Sequence, residues 1–465
     1  MVVNRRLNRR DFLASSAKTS AALAMSGSLG SLLAACASGG TSSEASTIAV
    51  EVDEGHNAAP FQWFNPDMKS KFGVDTKIVG LPFVGQYEKI VSELITRSNV
   101  YDVLVFPPQF LGDFAAKGFL HVLTEFGSAS DFNLDDVLPV YRDPNSVRNG
   151  KMYAASYDGD ILQVAMRKDL ADAAGIKSPP TTWDEFVTFA RELHRPPAHY
   201  GTAFYGQRGF CYAWFINVFA ASGGKWFDEQ MKPGISGDQG VAALQTLINL
   251  KQYAPPNILQ IGYPELNDTY VKGQSAMVVQ WDDLALHAED PGQSQVVGKT
   301  TYAPCPGRSY MAYSRIMAIS AFSSNPHNSY KVIQYMNSAN VSVKDVYDPG
   351  AGEDPFRTSH FDPSKVKTHD GKDVMTSDQA TNYVNAIKGC LTGGYPELSI
   401  PGGPRYLDIL DLKVNEALSG TTSAANALKA VESEWNSITD SLGKDSQVKA
   451  YADWVASFQK AGVNY

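Results

Sequence analysis

The sequence predicts an α/β protein with at least two lobes, in which strands and helices alternate early and helices dominate late. Large apolar side chains alternate with smaller or charged ones over residues 48–52, as in a strand with one buried face. Residues 86–97 carry apolar side chains at helical spacing, and residues 101–106 form an almost continuous apolar run. At roughly 100–200 residues per domain, the 465 residues suffice for two or more lobes.

The early segments predict a parallel sheet. A second strand at 76–80 lies between the strand at 48–52 and the helix at 86–97, and the strand at 101–106 follows. A run such as 101–106 is typical of a strand buried on both faces, and strand–helix–strand connections of this kind are right-handed crossovers. Such sheets hold ligands in the loops after the carboxyl ends of their strands. We therefore expect a site formed by the loops 53–64, 81–85 and 107–110.

The later segments predict mainly helices. Thr182-Trp183-Asp184-Glu185 is a capping box that opens a helix. Helical periodicity also covers residues 238–253, 325–339, 378–388, 404–419 and 446–461, and glycines at 420 and 462 end the last two. Further strands are predicted at 275–281 and 316–320.

The composition excludes several classes of protein. With 43% hydrophobic residues the chain can form a core, and with a formal net charge of −9 it lacks the excess of Lys and Arg that a nucleic-acid surface needs. No stretch after the N-terminal segment reaches about 18 apolar residues, which excludes a polytopic membrane protein. No Cys/His spacing suggests zinc, and common nucleotide-binding and hydrolase motifs are absent. We expect no metal, no cofactor and no nucleic-acid partner.

The first 36 residues are predicted to be an export signal. Arg9 and Arg10 precede a weakly apolar run, and their surroundings resemble the twin-arginine export signal. Leu33-Ala34-Ala35-Cys36 resembles a bacterial lipobox, whose cysteine becomes the lipidated first residue, and residues 37–46 have the composition of a flexible tether. We expect an exported protein, in the periplasm or at the cell surface, anchored to the membrane through Cys36. Two alternatives remain for Cys211, Cys305 and Cys390: they form one disulfide and one free thiol, or they are three buried thiols.

The order of short segments along the chain resembles a known family. These segments are Lys71–Val74, Tyr101–Leu104, Gly118–Leu123, Gly150–Ala154, Arg167–Leu170, Ala174–Ile176, Pro179–Glu185, Gly273–Val278, Ala318–Ser320 and Pro355–Arg357. Together they resemble the carbohydrate-type extracellular solute-binding proteins of ABC importers, the class of the maltodextrin-binding protein. The resemblance covers nearly the whole mature chain.

The resemblance implies a two-lobed fold of the periplasmic-binding-protein type, with a hinge and a ligand cleft between the lobes. Lobe 1 would comprise residues 47–157 plus 308–345, and lobe 2 residues 158–302 plus 355–465. Such a protein closes on its ligand by a hinge motion, and the permease subunits of the importer receive the closed form. The resemblance thus implies a monomeric binding protein, not an enzyme, with a sugar or polyol as its ligand.

Ligand residues are expected in loops that combine aromatic with charged or amide side chains. Sugar hydroxyls need polar partners, and the C–H faces of a sugar pack against aromatic rings. The candidates are Glu54, Trp63, Phe83, Tyr87, Gln109, Asp158, Asp160, Trp214, Trp281, Asp282, Tyr313, Arg315, Asp354 and Arg357. Structural roles are the alternatives: Trp63 at a sheet edge, Tyr87 and Trp214 in helix cores. The two arginines could equally close salt bridges, and the aspartates at 158 and 160 could form a turn around Gly159.

Three other functions remain open from the sequence. The protein could bind a charged solute such as a sugar phosphate, with Arg315 and Arg357 supplying the positive charge. It could be a secreted lipoprotein enzyme that acts on glycans. It could also report the presence of its ligand to a sensor receptor.

Overall fold

The computed structural model describes residues 46–311 and 314–465. The predicted signal, the lipidation site at Cys36 and nearly all of the tether lie outside the described residues, and so does Tyr313. Within the described part of the chain, none of the helices combines the length and the apolar character needed to cross a bilayer.

The secondary structure alternates between strands and helices as far as residue 345 and is mostly helical after it. The strands are β1 (Ser46–Asp53), β2 (Val74–Leu81), β3 (Val103–Phe106), β4 (Val147–Arg148), β5 (Lys151–Met152), β6 (Ala154–Ser156), β7 (Leu162–Arg167), β8 (Tyr200–Ala203), β9 (Ser275–Trp281), β10 (Thr300–Pro304), β11 (Tyr310–Met311), β12 (Ile316–Ile319) and β13 (Tyr395–Pro396). The α-helices are α1 (Ala59–Phe72), α2 (Gln86–Ile95), α3 (Leu111–Ala116), α4 (Pro139–Ser146), α5 (Lys168–Ala174), α6 (Trp183–Glu192), α7 (Cys211–Ala221), α8 (Asp238–Leu250), α9 (Tyr263–Val271), α10 (Leu284–Glu289), α11 (Pro326–Met336), α12 (Ala339–Asp345), α13 (Ser377–Thr392), α14 (Gly403–Ser419), α15 (Ala424–Leu442) and α16 (Lys444–Lys460).

The first sheet has the strand order β2-β1-β3-β12-β6. Strand β1 runs parallel to both β2 and β3, with Val50 opposite Val103, so the predicted parallel sheet is confirmed. Strand β12 is antiparallel to β3 and β6. The carboxyl ends of β1, β2 and β3 therefore share one edge of the sheet, which is where ligand loops are expected.

The second sheet has the order β10-β7-β9-β8. Strand β9 has the bounds predicted from its apolar run, and all seven of its residues are buried. Strand β7 is also buried along its whole length but was not predicted. Its residues include Gln163 and Arg167, which interrupt the apolar pattern by which a buried strand is recognised.

Most of the predicted helices are present, with small shifts at their ends. The capping box at Thr182 is confirmed, because its hydroxyl accepts a hydrogen bond from the Glu185 amide at 3.1 Å and the Glu185 carboxylate accepts one from the Thr182 amide. Helix α14 ends at Gly420, whose φ of 83° lies in the left-handed region that glycine favours. The prediction of a loop over residues 53–64 is wrong for residues 59–64, because these residues form the start of α1, which has Pro60 in its first turn.

The two sheets have separate cores. Alternate residues of β3 pack into two clusters, Val103 and Val105 on one face and Leu104 and Phe106 on the other. The second sheet and the C-terminal helices form one larger cluster. The chain passes from the first sheet to the second between β6 and β7 and returns between β10 and β12. The limits of lobe 1 and lobe 2 remain predictions.

Cys211, Cys305 and Cys390 are all free and buried. The structure therefore shows three buried thiols and not one disulfide with a free thiol. Burial raises the pKa of Cys211 and Cys305, which keeps both thiols protonated and unreactive.

Candidate ligand-binding cleft

A cleft of about 710 Å³ opens between the loops of the first sheet and the end of the second. Its first wall consists of residues that follow β1 and β2, and its second wall consists of residues from α9, α10 and the end of β9. Five of the predicted ligand residues line it: Glu54, Phe83, Asp160, Trp281 and Arg315. The cleft therefore lies at the carboxyl edge of the first sheet, in agreement with the expectation for parallel strands.

Aromatic rings form the second wall of the cleft. Trp281 ends β9, and its ring centroid lies 5.1 Å from that of Tyr205 and 5.5 Å from that of Tyr263. The ring centroid of Phe210 lies 6.5 Å from that of Trp281 and 5.5 Å from that of Phe83 on the opposite wall. Rings at these distances pack favourably and offer flat faces to the C–H groups of a ligand.

Arg315 is the cation that faces the cleft, and two carboxylates neutralise it. Its guanidinium donates to Asp53 from both Nε and Nη2, with the Nε bond at 3.1 Å, and its Nη1 lies 3.8 Å from Asp160. The ring of Phe83 lies 5.3 Å from the guanidinium carbon. Burial opposes the charge on Arg315, but the two carboxylates outweigh it and raise its pKa.

Beneath the cleft floor lies a group of buried acids at the crossing between β6 and β7. One oxygen from each of Asp158, Asp160 and Asp354 lies within 4.8 Å of the others, close enough to hold a metal ion. The Asp354 amide donates to Asp158 at 2.7 Å, and a side chain on Gly159 would clash with the carbonyl oxygen of Pro355, which lies 2.3 Å from where a Cβ would stand. Burial raises the pKa of Asp158 and Asp354 well above the usual value, because a charged carboxylate is poorly solvated in this position.

Asp160 should make the stability of the protein depend on pH. Burial raises its pKa to about 7, although Arg315 acts in the opposite direction. In the unfolded chain this aspartate has its ordinary pKa of about 3.9. Between about pH 4 and pH 7, therefore, Asp160 binds a proton in the folded protein but not in the unfolded chain, and this difference stabilises the folded state. This stabilisation is present at low pH and is lost as the pH rises through about 7.

We expect the free energy of unfolding of the wild type, relative to Asp160→Asn, to increase by up to about 1.4 kcal/mol per pH unit as the pH falls from about 7 to about 5. Urea unfolding of both proteins across this range measures the difference. Parallel stability curves for the two proteins would contradict the assignment of a raised pKa to Asp160.

Several predicted ligand residues lie away from the cleft, in packed positions. Trp63 stacks on His369 at 4.2 Å, and the hydroxyl of Tyr87 donates to Asp113 while its ring packs on Phe114. Trp214 is fully buried in α7, and its indole N–H donates to the carbonyl of Val279 at 2.9 Å. Tyr87 and Trp214 thus have the helix positions named as structural alternatives, whereas Trp63 lies on α1 and not at a sheet edge. Gln109 and Asp282 are likewise buried and do not line the cleft.

Arg357 is fully buried and away from the cleft as well. Its guanidinium donates to the carbonyls of Phe132 at 3.0 Å and Asn133 at 3.2 Å, and also to Asn337. A carboxylate oxygen of Asp136 lies 3.6 Å from Nη1 of Arg357. These partners engage both terminal nitrogens of Arg357 within the protein, so the side chain ties loops together and does not line the cleft.

The structure also places residues in the cleft that were not chosen from the sequence. Asp283 lines it in place of its neighbour Asp282, and Tyr263 donates its hydroxyl to Asp283. The ring of His287 lies 5.5 Å from that of His56 on the opposite wall. The sequence shows the pair Asp282-Asp283 directly after Trp281, but which of the two faces the cleft depends on the turn that starts α10.

Comparison with known proteins identifies the family. Residues 44–341 match the family model described as bacterial extracellular solute-binding protein. The chain belongs to this family. The predicted family is thereby confirmed, and its description as extracellular agrees with an exported protein.

This solute-binding protein has relatives of known name and structure. It is 31% identical to the mannitol-binding protein of Pseudomonas aeruginosa over 51% of its own length and 56% of that protein. The alignment thus spans little more than half of the relative. Two solved structures share the fold. One is a solute-binding protein of Agrobacterium radiobacter K84 in complex with ribitol, with a TM-score of 0.75 and 23% identity, and the match covers 85% of this chain and 99% of that one. The other is a maltose-bound protein of T. maritima, with a TM-score of 0.76 and 20% identity, and the match covers 84% of this chain and 99% of that one. The predicted two-lobed α/β fold is confirmed.

Proposed function

We propose that this protein is the substrate-binding component of an ABC importer, and that it captures a sugar or polyol in the cleft and delivers it to the permease. The observation that carries the proposal is the composition of the cleft. The aromatic wall around Trp281 stands opposite polar groups of the first sheet, including Glu54 and Asn57. Aromatic faces match the C–H surface of a polyhydroxylated ligand, and carboxylates and amides match its hydroxyls.

The names of similar proteins support this class of ligand. The relative from Pseudomonas aeruginosa is a mannitol-binding protein, and one from Mycolicibacterium smegmatis is an erythritol/L-threitol-binding protein. Similar structures contain ribitol, D-mannitol and maltose. Linear polyols recur among them, and we include polyols with sugars in the proposed class.

The anionic ligands considered from the sequence fit the cleft poorly. Arg315 is paired with Asp53 and Asp160, and Arg357 is engaged by backbone carbonyls away from the cleft. A phosphate in the cleft would meet several carboxylates and an arginine that is already neutralised. A sugar phosphate would therefore bind more weakly than the parent sugar.

We propose that the protein binds its ligand without altering it, that it acts as a monomer, and that a lipid on Cys36 holds it near the permease. The family is one of binding proteins, which supports binding over catalysis on glycans. Ligand recovered unchanged after prolonged incubation, as measured by chromatography, would agree with this. Conversion of the ligand would favour the enzyme alternative.

A thermal-shift panel tests the proposed function. Purified protein is heated with mannitol, ribitol, sorbitol, maltose, glucose and glucose 6-phosphate. A ligand present at 100 times its dissociation constant adds about 2.7 kcal/mol to the free energy of unfolding, so at least one neutral compound should raise the melting temperature by several degrees. A shift with the phosphate and none with the neutral compounds would contradict the proposal.

A further inference from the structure

The cleft is strongly acidic. Among the described residues that line it, one arginine stands against six carboxylates: Asp53, Glu54, Asp160, Glu265, Asp268 and Asp283. Some of them have partners already. Asp53 pairs with Arg315, Asp268 pairs with Lys272 at 2.6 Å, and Glu265 accepts a hydrogen bond from the amide of Gly262 at 3.1 Å.

Asp53 and Asp283 each have one buried carboxylate oxygen without a hydrogen-bond partner among the described residues. Asp283 differs from Asp53 because its neighbour within ion-pair distance is a histidine and not an arginine. Its Oδ2 accepts a hydrogen bond from the Tyr263 hydroxyl and lies 3.5 Å from Nε2 of His287. Its Oδ1 is buried and has no hydrogen-bond partner among the described residues, although the residue is only 2% exposed. A buried carboxylate oxygen without a donor is costly, and in the wall of a cleft a bound group can supply the donor.

The surroundings of Asp283 suit a positive group. It starts α10 two residues after Trp281, and the rings of Trp281 and Tyr263 lie 5.5 Å apart beside it. The faces of aromatic rings attract cations, and a carboxylate within a poorly hydrated site attracts them more strongly. Burial and the neighbouring His287 lower the pKa of His56, so this imidazole adds no positive charge that would repel a cation.

We propose that the ligand of this cleft is a hydroxylated compound that carries a protonated amine, an amino sugar or an amino polyol, and that its ammonium group binds between Asp283 and the rings of Trp281 and Tyr263. This inference rests on the proposed function and narrows its ligand class. An ammonium group supplies up to three donors, one of which would reach the free oxygen of Asp283. When the cleft closes and water leaves, this charge offsets the carboxylates that would otherwise be desolvated without a counter-charge.

Matched ligand pairs test the inference. D-glucamine differs from D-sorbitol by one ammonium in place of one hydroxyl, and glucosamine differs from glucose in the same way. By isothermal titration calorimetry, we expect the amine of at least one pair to bind at least tenfold more tightly than its neutral partner. Its affinity should fall with added salt while that of the neutral partner stays constant.

Equal or weaker binding of both amines, with measurable binding of the neutral compounds, would overturn this inference and leave the proposed function standing. Failure of all four compounds together with the other members of the thermal-shift panel would overturn both. The two results are therefore distinguishable.

Two variants locate the effect. Asp283→Asn should reduce the affinity for the amine at least tenfold and change the affinity for its neutral partner less than threefold. Asp102→Asn is the matched control, because it removes one negative charge from a buried aspartate that does not line the cleft and is hydrogen-bonded to Ala49 and Ser323. It should leave both affinities within threefold. An amine preference that persists in Asp283→Asn would overturn the proposed position of the ammonium, as would its loss in Asp102→Asn. The salt dependence of the wild type requires no variant and would still decide the question if Asp283→Asn did not fold.

Discussion

Replacement of Trp281 by alanine is expected to reduce the affinity for the best-binding sugar or polyol at least about 100-fold, equivalent to about 2.7 kcal/mol. Trp281 lies at the centre of the aromatic wall, between the rings of Tyr205, Phe210 and Tyr263, and it lines the cleft at the end of β9. Without its ring, the ligand loses its largest apolar contact surface. Calorimetric titration of the variant with the ligand identified by the thermal-shift panel measures the change.

A loss of stability must be separated from a loss of affinity in this experiment. Trp281 is only 5% exposed, so its removal also costs about 3–5 kcal/mol in the free energy of unfolding. Trp214→Ala is the matched control, because Trp214 is fully buried in the same core but does not line the cleft. It should lower the free energy of unfolding by a similar amount and leave the affinity of the folded protein unchanged. Unchanged affinity in Trp281→Ala would remove this residue from the proposed site.

The second large effect is expected for Arg315→Met, which should lower the free energy of unfolding of the ligand-free protein by about 3–5 kcal/mol. Arg315 is buried together with Asp53 and Asp160, and no other arginine or lysine among the described residues lines this cleft. Methionine keeps most of the side-chain volume but leaves Asp53, and the fraction of Asp160 that is ionised at neutral pH, without a counter-charge. Urea unfolding at neutral pH, with the linear extrapolation to water, measures the loss.

Two comparisons test whether the lost charge is the cause. Lys168→Met breaks an exposed pair with Asp172, in which the side chains are 63% and 54% exposed, and should cost less than about 1 kcal/mol. The double variant Arg315→Met with Asp53→Asn should recover part of the stability, because one of the unpaired carboxylates is gone. If Arg315→Met cost no more than Lys168→Met, the pairing around Arg315 would not be structural.

The fold could be predicted wherever the signal is local. The position of β9 follows from the four consecutive apolar residues Ala276–Val279 together with Trp281, and the start of α6 follows from the capping box at Thr182. The predictions failed where the local pattern was ambiguous. In β7, Gln163 and Arg167 leave only three consecutive apolar residues, and the predicted loop 53–64 includes the first turns of α1, which has a proline at its start.

The candidate site could be predicted in part. Glu54, Phe83 and Trp281 line the cleft because each ends or follows a strand, and that position can be read from the chain. Trp63, Tyr87 and Trp214 met the same compositional criterion, but they pack against other side chains. An aromatic residue near polar ones looks the same in the sequence whether it faces a ligand or packs against a neighbouring element.

The sequence by itself determined the family and the α/β order of the elements, because both depend on residue types at short spacing along the chain. Only the tertiary structure decided which charges face the cleft. Arg315 and its partner Asp53 are 262 positions apart, whereas Arg357, which looked equivalent, lies among the carbonyls of another loop. Likewise, Asp283 and not Asp282 lines the cleft. Periodicity shows that a side chain is on one face of an element, but the packing of distant elements sets what that face meets.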